Sequence, residues 1–193
     1  MRIAVTPSFA RFWLFPRLKA LEGNPADVRV DVIADLNHSD LVGGEVDLAI
    51  RYGRGGWHIG SEQRLFEEPL VPVIAQSLRT ALPARPRPKE LVKWPLLHNG
   101  DTSNWQSWME AHGQLAPIKA ADRIFLDYAL ALDAAANGLG IALWNRGLHK
   151  VPNGLVAMDG FAAVGDLAYY LISRRGDTNS PAAIVGTRIL RRS

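Results

Sequence analysis

Three polar side chains occupy positions where an α/β protein commonly holds an anionic ligand. Thr6 and Ser8 follow a short apolar run at the N-terminus, and Arg51 follows the apolar run of residues 46–50. In an open α/β sheet, ligands bind outside the carboxyl ends of the strands. Hydroxyl and free N–H groups at the start of a helix attract anions, and a guanidinium binds a carboxylate through two hydrogen bonds. The pattern therefore favours a small ligand that carries a carboxylate or a similar anion.

Each of these positions also has a purely structural interpretation. Ser8 could serve only as the N-cap of the first helix, a role worth about 1 kcal/mol. Arg51 could instead form a salt bridge with a nearby carboxylate such as Asp47. Phe9 is expected in the core or in the wall of a binding cleft, and Tyr52 is expected to pack beneath the loop that follows it.

Two further candidates lie in the second half of the sequence. Asp127 and Tyr128 occupy another strand-to-helix junction, where Asp127 is expected to cap the helix and Tyr128 to line a ligand site. His98 follows a short apolar run and could donate a hydrogen bond to a ligand, although a single histidine is more often structural.

The elements that must position these residues alternate between strands and helices. Residues 2–6, 28–33 and 46–50 read as strands, residues 8–22 as a helix, and residues 39–43 as a short helical turn. This order predicts a parallel sheet with helices on its faces. Pro69 and Pro72 confine the segment 63–75 to a sheet edge or a bend. Further elements are predicted at 89–93, 96–98, 104–112, 123–126, 128–137, 139–143, 167–173 and 181–190.

Composition excludes several kinds of protein. The 193 residues are 48% hydrophobic and 21% charged, which is typical of a soluble folded domain. The apolar run near the N-terminus is broken by Thr6-Pro7-Ser8 before it could serve as a signal-peptide core, so we expect a cytoplasmic protein. Cysteine is absent and the five histidines lie far apart, so we expect no disulfide, no metal site and no cofactor. The apolar runs are shorter than the ~20 residues that a membrane span needs. The net charge is +3, but the basic residues are scattered, which does not favour direct DNA binding.

Enzyme motifs are also missing from the sequence. It contains no G-x-S-x-G, Walker A, H-E-x-x-H or G-x-G-x-x-G pattern. The single G-x-G, Gly138-Leu139-Gly140, is best explained as a helix stop. The sequence therefore predicts no catalytic residues and no enzyme activity.

Three segments together resemble one family. Residues 46–53 (VDLAIRYG), 5–10 (VTPSFA) and 13–18 (WLFPRL) are similar to the effector-binding domain of LysR-type transcriptional regulators. The similarity is strongest to the branch that contains the glycine-cleavage activator and the β-lactamase regulator. It implies a fold like that of a type II periplasmic binding protein, with two Rossmann-like lobes and a cleft between them. Lobe I would comprise residues 1–74 and 166–193, and lobe II residues 75–165.

The resemblance also implies a function and a set of contact residues. A small effector bound between the lobes would change the arrangement of the subunits, and so the response would be allosteric rather than catalytic. In this branch the strand-to-helix junction that forms the lobe II wall of the cleft usually has the sequence Asp-Ser-Ser, whereas this chain has Asp127-Tyr128-Ala129. This departure argues against transferring a relative's effector directly. The candidate effector-binding residues are Thr6, Ser8, Phe9, Arg51, Tyr52, His98, Asp127 and Tyr128.

The family's winged helix-turn-helix would precede this domain and is absent from the sequence, so DNA contact is expected only through that missing part. A homodimer or higher homo-oligomer is expected, because the first helix carries many large apolar residues, among them Phe15 and Leu21. Leu21 is expected to face outward, against the helix 128–137 of a second subunit. Two alternatives remain: a solute-binding protein of a transport system, and an enzyme built on the same scaffold.

Overall fold

The computed structural model describes residues 1–23, 27–34, 43–66, 69–158, 160–165, 167–174, 176 and 180–191. The strands formed by these residues are, in chain order, β1 (Arg2–Val5), β2 (Asp31–Ala34), β3 (Leu48–Gly53), β4 (Ser61–Phe66), β5 (Pro69–Ala75), β6 (Leu96–Asn99), β7 (Arg123–Phe125), β8 (Ile141–Asn145), β9 (Leu155–Ala157), β10 (Ala163–Val164) and β11 (Ala168–Ser173). The α-helices are α1 (Pro7–Phe9), α2 (Leu18–Glu22), α3 (Pro88–Leu91), α4 (Ser103–Ala111), α5 (Tyr128–Ala136) and α6 (Pro181–Leu190).

The chain forms two compact units, which are Met1–Glu67 with Leu167–Ser193, and Glu68–Asp166. The first boundary differs from the expected one, because β5 belongs to the second unit, whereas the sequence placed residues up to 74 in lobe I. Of the predicted elements, the helical turn at 39–43 falls almost entirely outside the described residues. The strands β9 and β10 and a 3-10 turn at Gln76–Ala81 were not predicted.

The sheet of the first unit has the order β2-β1-β3-β11-β4. Strand β1 lies between β2 and β3 and runs parallel to both, as the alternation of strands and helices predicts. Strand β11 is antiparallel to β3 and to β4, so the sheet is mixed. The carboxyl ends of β1 and β3 lie at the same edge of the sheet, and this edge carries Thr6, Ser8 and Tyr52.

The first helix is present but irregular. After α1, the chain forms a π turn over Ala10–Leu14 and a 3-10 turn over Phe15–Arg17 before α2 begins. Proline has no N–H to donate, and so Pro16 interrupts the regular ladder of helix hydrogen bonds at this point. Leu21 is fully buried on α2, which contradicts its expected outward position, whereas Phe15 is 53% exposed.

The sheet of the second unit has the order β10-β5-β8-β6-β7, and β9 also pairs with β5. The expectation that the prolines confine residues 63–75 to an edge or a bend is wrong for β5, which lies between β8 on one side and β9 and β10 on the other. The carbonyl of Pro72 accepts the N–H of Met158. Because the nitrogen and the carbonyl of one strand residue point to the same side, the ring nitrogen of Pro72 faces β9 and β10. On that side β9 pairs with residues 73–75 and β10 pairs with residues 69 and 70, so Pro72 lies between the two pairings, where no N–H is needed.

Helix α5 ends where the sequence predicted. Gly138 has φ +79°, the left-handed conformation that glycine adopts without strain. Its N–H donates to Ala135, and the N–H of Leu139 donates to Ala134, which completes a Schellman motif. The prediction that Gly138-Leu139-Gly140 is a helix stop rather than a nucleotide-binding loop is thereby explained by its geometry.

Candidate functional site

The turn between β1 and α1 forms the first candidate ligand surface. Thr6 has extended backbone angles, and its hydroxyl accepts the N–H of Phe9 at 3.3 Å. Thr6 rather than Ser8 is therefore the N-cap, because Pro7 occupies the first helical position. Ser8 lies in the first turn of the helix, and its side chain is 2% exposed. A threonine cap carries no charge, so it leaves the partial positive charge of the helix start uncompensated.

Behind this turn, the first unit holds a cluster of aromatic rings. Phe9 is fully buried, and its ring centroid lies 5.1 Å from Trp13 and 4.8 Å from Tyr169. Tyr52 packs against the same tyrosine at 5.0 Å, and Phe66 completes the cluster. The structure thus brings Thr6, Phe9 and Tyr52 to one region, and the rings fix the position of α1 against β3 and β11.

Arg51 projects from the opposite face of the sheet. In the register of β3 and β11, Arg51 pairs with Tyr170, whereas Tyr52 pairs with Tyr169. Successive side chains of a strand point to opposite faces, so Arg51 and Tyr52 leave the sheet in opposite directions. Arg51 is 5% exposed, and because β3 extends to Gly53 it is a buried cation within the strand, whereas the sequence placed it after the strand's end. The carboxylate of Asp47 accepts the N–H of Arg2 and lies 4.0 Å from Arg174.

The glycine-rich loop after β3 is held by several contacts. The Glu62 carboxylate accepts the N–H groups of Gly56 and His58 at 2.7 and 2.8 Å. The ring of Trp57 packs edge-on against Tyr170 at 5.6 Å. His58 is the non-glycine residue with positive φ, +57°, among those described, and its side chain is exposed. These contacts fix the loop at the carboxyl end of β3 without using the imidazole of His58.

In the second unit, the turn between β7 and α5 is built around two of the predicted residues. Asp127 is the N-cap of α5, since its carboxylate accepts the N–H of Ala129 at 2.9 Å. The side chain of Tyr128 is 7% exposed. Its hydroxyl accepts the N–H of Asn145 at 2.8 Å and lies 3.0 Å from Nε2 of His149. The N-terminus of α5 is therefore tied to the turn that follows β8.

His98 lies within the buried part of β6 and faces an ionic cluster. Its Nε2 is 3.9 Å from the carboxylate of Asp122, which is too long for a hydrogen bond. Asp122 accepts the N–H groups of Leu96 and Lys119, each at 2.8 Å, and its side chain is 3% exposed. The Lys119 ammonium lies 3.3 Å from Asp122 and donates to the carbonyls of Val92 and Trp94. Neither ring nitrogen of His98 has a hydrogen-bond partner among the residues that the structure describes.

The pKa values of His98 and Asp122 are both lowered, but for different reasons. Burial lowers the pKa of His98, and the Asp122 carboxylate offsets only part of this effect. Burial would raise the pKa of Asp122, but the N–H donors of Leu96 and Lys119 hold it below its usual value. His98 is therefore neutral and Asp122 is charged near neutral pH.

We expect His98 to make the protein less stable in mild acid. Below about pH 6.5 the unfolded chain binds a proton at this histidine. The folded chain binds that proton only at lower pH, so stability falls as the pH drops from the unfolded pKa to the folded one. Urea unfolding should be measured at about pH 7 and about pH 5. Between these pH values, the free energy of unfolding should fall less for His98→Gln than for the unchanged chain. An equal loss in both proteins would contradict the assignment.

Some residues around the two turns were not identified from the sequence. In the first unit Tyr169 joins Phe9 to Tyr52, and in the second unit Asn145 and His149 bind Tyr128. These partners lie 17 or more residues apart in sequence, beyond any spacing rule for helices or strands. A polar Asn145 directly after the buried run 141–144 was the available signal.

Among the residues with described positions, no three or more His, Asp or Glu side chains are grouped so that they could hold a metal ion. None of the helices in the described ranges has both the length and the apolar character needed to cross a membrane.

Comparison with known proteins gave consistent results. Residues 1–192 match a family model described as the LysR substrate binding domain. The chain is 33% identical over 146 residues to the glycine cleavage system transcriptional activator of Escherichia coli K12, and 30% identical over 143 residues to the transcriptional activator AmpR of Rhodobacter capsulatus. These alignments cover 76% and 74% of this chain but 48% of each relative, so the chain spans about half the length of the curated relatives it matches.

Solved structures show the same fold. The effector domain of AmpR from Pseudomonas aeruginosa superimposes with a TM-score of 0.83 at 22% identity, covering 99% of this chain and 94% of that one. The AmpR effector binding domain of Citrobacter freundii gives a TM-score of 0.79 at 22% identity, covering 100% and 98%. These similarities confirm the predicted α/β fold of the type II periplasmic-binding-protein kind.

Proposed function

Because this chain belongs to the family of LysR substrate-binding domains, we propose that it is the effector-sensing part of a DNA-binding transcription regulator. The observation that carries the proposal is the family match, which extends over residues 1–192. The curated relatives are named as transcriptional activators, which favours a regulator over a solute-binding protein of a transport system. The proposed role is sensing rather than catalysis, and it places the protein in the cytoplasm.

The proposed effector is a small molecule that carries a carboxylate or a similar anion. Two features of the first surface support this choice, namely the uncharged Thr6 cap at the start of the first helix and the adjacent Ser8. The buried guanidinium of Arg51 lies on the opposite face of the same sheet and would have to act there as a separate contact. Tyr52 would supply the apolar wall of the first surface, and Phe9 is part of the core behind it. The turn after β7, with Asp127 and Tyr128, is the second proposed contact surface. His98 is the weakest candidate, because its ring faces Asp122.

The proposed mechanism is allosteric. A ligand shifts an equilibrium between conformations only by its difference in affinity for them. An effector that favours one conformation of this domain would thereby favour one arrangement of the subunits of the regulator. DNA contact is assigned to a part of the regulator outside these 193 residues, which is consistent with the greater length of the curated relatives.

A ligand screen by thermal denaturation tests the chemistry of the effector. A panel of amino acids, organic acids, cell-wall fragments, amines and neutral apolar compounds would be added to the purified chain. A ligand at 100 times its Kd stabilises the folded state by about 2.7 kcal/mol, which is a measurable rise in Tm. Stabilisation by carboxylate-bearing compounds is the expected result. Stabilisation by cations or neutral apolar compounds alone would overturn the anionic assignment.

Ser8→Ala is expected to weaken binding of the stabilising compound without removing a helix cap. Thr6 supplies the cap, so loss of the Ser8 hydroxyl should act on ligand contact more than on α1. The matched control is Ser180→Ala, because the Ser180 hydroxyl caps α6 by accepting the N–H of Ala183 at 3.2 Å. The control should lose about 1 kcal/mol of stability and bind normally. Titration calorimetry showing unchanged affinity in Ser8→Ala would remove Ser8 from the proposed site.

We also propose that the domain forms a homodimer through exposed apolar residues. Phe15 of the first unit is 53% exposed, and Ile124, Leu126 and Leu130 of the second unit are 54% exposed or more. Isologous pairing would use each surface twice. Light scattering should therefore give about twice the chain mass of 21.2 kDa, and Phe15→Glu should shift the mass to that of a monomer. A monomer mass for the unchanged chain at high concentration would contradict the proposal.

A further inference from the structure

The hydroxyl of Tyr128 is engaged by two groups from the chain after α5. It accepts the backbone N–H of Asn145 at 2.8 Å, and it lies 3.0 Å from Nε2 of His149. Asn145 in turn accepts the N–H groups of Gly147 and Leu148 through its side-chain oxygen. The first residue of α5 therefore holds the end of β8 and the turn that follows it.

The hydrogen bond between Tyr128 and His149 has a defined direction. Nδ1 of His149 lies 2.6 Å from the carbonyl of Lys150, and a carbonyl only accepts, so Nδ1 carries the hydrogen. In the neutral imidazole Nε2 is then the acceptor. The phenol of Tyr128 must donate to Nε2 while its oxygen accepts from Asn145. The ring orientation is fixed further by Trp144, whose indole N–H donates to the carbonyl of His149 at 3.1 Å.

We propose that His149 is a positioning residue for the second ligand surface, and that protonation of its imidazole reverses the direction of its hydrogen bond with Tyr128. Protonation places a hydrogen on Nε2, so this nitrogen can no longer accept from the phenol. The phenol oxygen then accepts from both Nε2 of His149 and the N–H of Asn145, and the phenol hydrogen must turn away from the imidazole.

Two aromatic rings and several charged side chains lie near the imidazole of His149. The groups packed against the imidazole are the rings of Tyr128 from α5 and Trp144 from β8. Arg146 and Lys150 flank His149 in its own turn, and Asp127 lies beside Tyr128 at the N-cap of α5. The side chain of His149 is half-buried, so a proton can reach it from solvent.

The consequence for ligand selection rests on the proposed function, in which the turn between β7 and α5 is the second contact surface for the effector. Here the phenol hydroxyl is directed to Asn145 and His149, so Tyr128 offers its ring to a ligand rather than a hydrogen-bond donor. While His149 is neutral, this surface would then select by the fit of an apolar group.

Nuclear magnetic resonance can test the tautomer and the coupling without any ligand. In the 15N-labelled chain, His149 should show the Nδ1–H tautomer in its neutral state. The amide resonance of Asn145 should shift with the same midpoint pH as the imidazole of His149. In Tyr128→Phe, the amide shift of Asn145 should lose this dependence. An Nε2–H tautomer, or an Asn145 amide that does not follow His149, would overturn the proposal.

Two further variants separate positioning from folding. His149→Gln keeps a side-chain acceptor that does not titrate, so the Asn145 amide should become independent of pH while the domain stays folded. His112→Gln is the matched control, because His112 stacks on Trp108 in another part of the second unit. The control should leave the Asn145 titration unchanged, and a change there would also count against the assignment. None of these readouts depends on the effector. They can therefore contradict the role of His149 while the proposed function holds, and the proposed function can fail while the role of His149 is confirmed.

Discussion

Replacing Leu21 with glutamate should unfold the first unit of this protein. Leu21 lies on α2 and is fully buried, and its carbonyl accepts a hydrogen bond from Arg188 of the terminal helix. Leu21→Ala alone should lose about 2–5 kcal/mol through lost burial and the cavity that remains. A carboxylate at the same place adds the penalty of an unpaired buried charge. Circular dichroism and urea unfolding should therefore show loss of the cooperative transition for Leu21→Glu.

The matched control for this substitution is Ala20→Glu. Ala20 precedes Leu21 on the same helix, and its side chain is exposed. The same charge there should change stability by less than about 0.5 kcal/mol. A folded Leu21→Glu protein that had merely lost its partner subunit would show that Leu21 faces outward, as the sequence alone suggested.

The error over Leu21 shows what a hydrophobic pattern leaves open. The spacing of Leu14, Leu18 and Leu21 predicts a helical face, and the helix is present. Leu14 and Leu21 are seven residues apart and are both fully buried, as residues on one helical face would be, whereas Phe15 is exposed. The pattern shows which residues share a face, but it does not say whether that face packs on the core of its own chain or on a partner subunit.

The prolines of β5 show a similar limit. A proline in a strand has no N–H to donate, and Pro72 indeed lies where neither β9 nor β10 pairs with it. The sequence could not reveal that the neighbouring strand would be divided into β9 and β10 on the side that Pro72 faces. A central strand thus tolerates a residue that is typical of an edge.

The candidate site was only partly accessible to sequence reasoning. The strand-to-helix turns at Thr6 and Asp127 could be predicted, because an apolar run followed by a capping residue is a local signal. The choice of Thr6 over Ser8 as cap was also readable from Pro7, which favours the first helical position. The contacts of Tyr128 with His149 could not be predicted, because only the tertiary fold brings them together.

The largest effect expected in the second unit comes from Asp122→Ala. The carboxylate is 3% exposed and binds the N–H groups of Leu96 and Lys119 as well as the Lys119 ammonium. It therefore joins the starts of β6 and β7. Removing one partner of a buried ion pair costs up to about 3–5 kcal/mol. Here the N–H groups of Leu96 and Lys119 would lose their acceptor, and the ammonium of Lys119, whose side chain is 27% exposed, would lose its carboxylate. Urea unfolding should show a loss of this size.

Asp31→Ala provides the contrast that isolates burial as the cause. Asp31 pairs with Arg29 at 3.1 Å, but the two side chains are 52% and 87% exposed. Exposed pairs of this kind contribute about 0–1 kcal/mol, so Asp31→Ala should lie close to the unchanged chain. Adding Lys119→Met to Asp122→Ala should recover part of the loss, since the double variant no longer buries a lone ammonium. Equal losses for Asp31→Ala and Asp122→Ala would show that the Asp122 cluster does not hold β6 and β7 together.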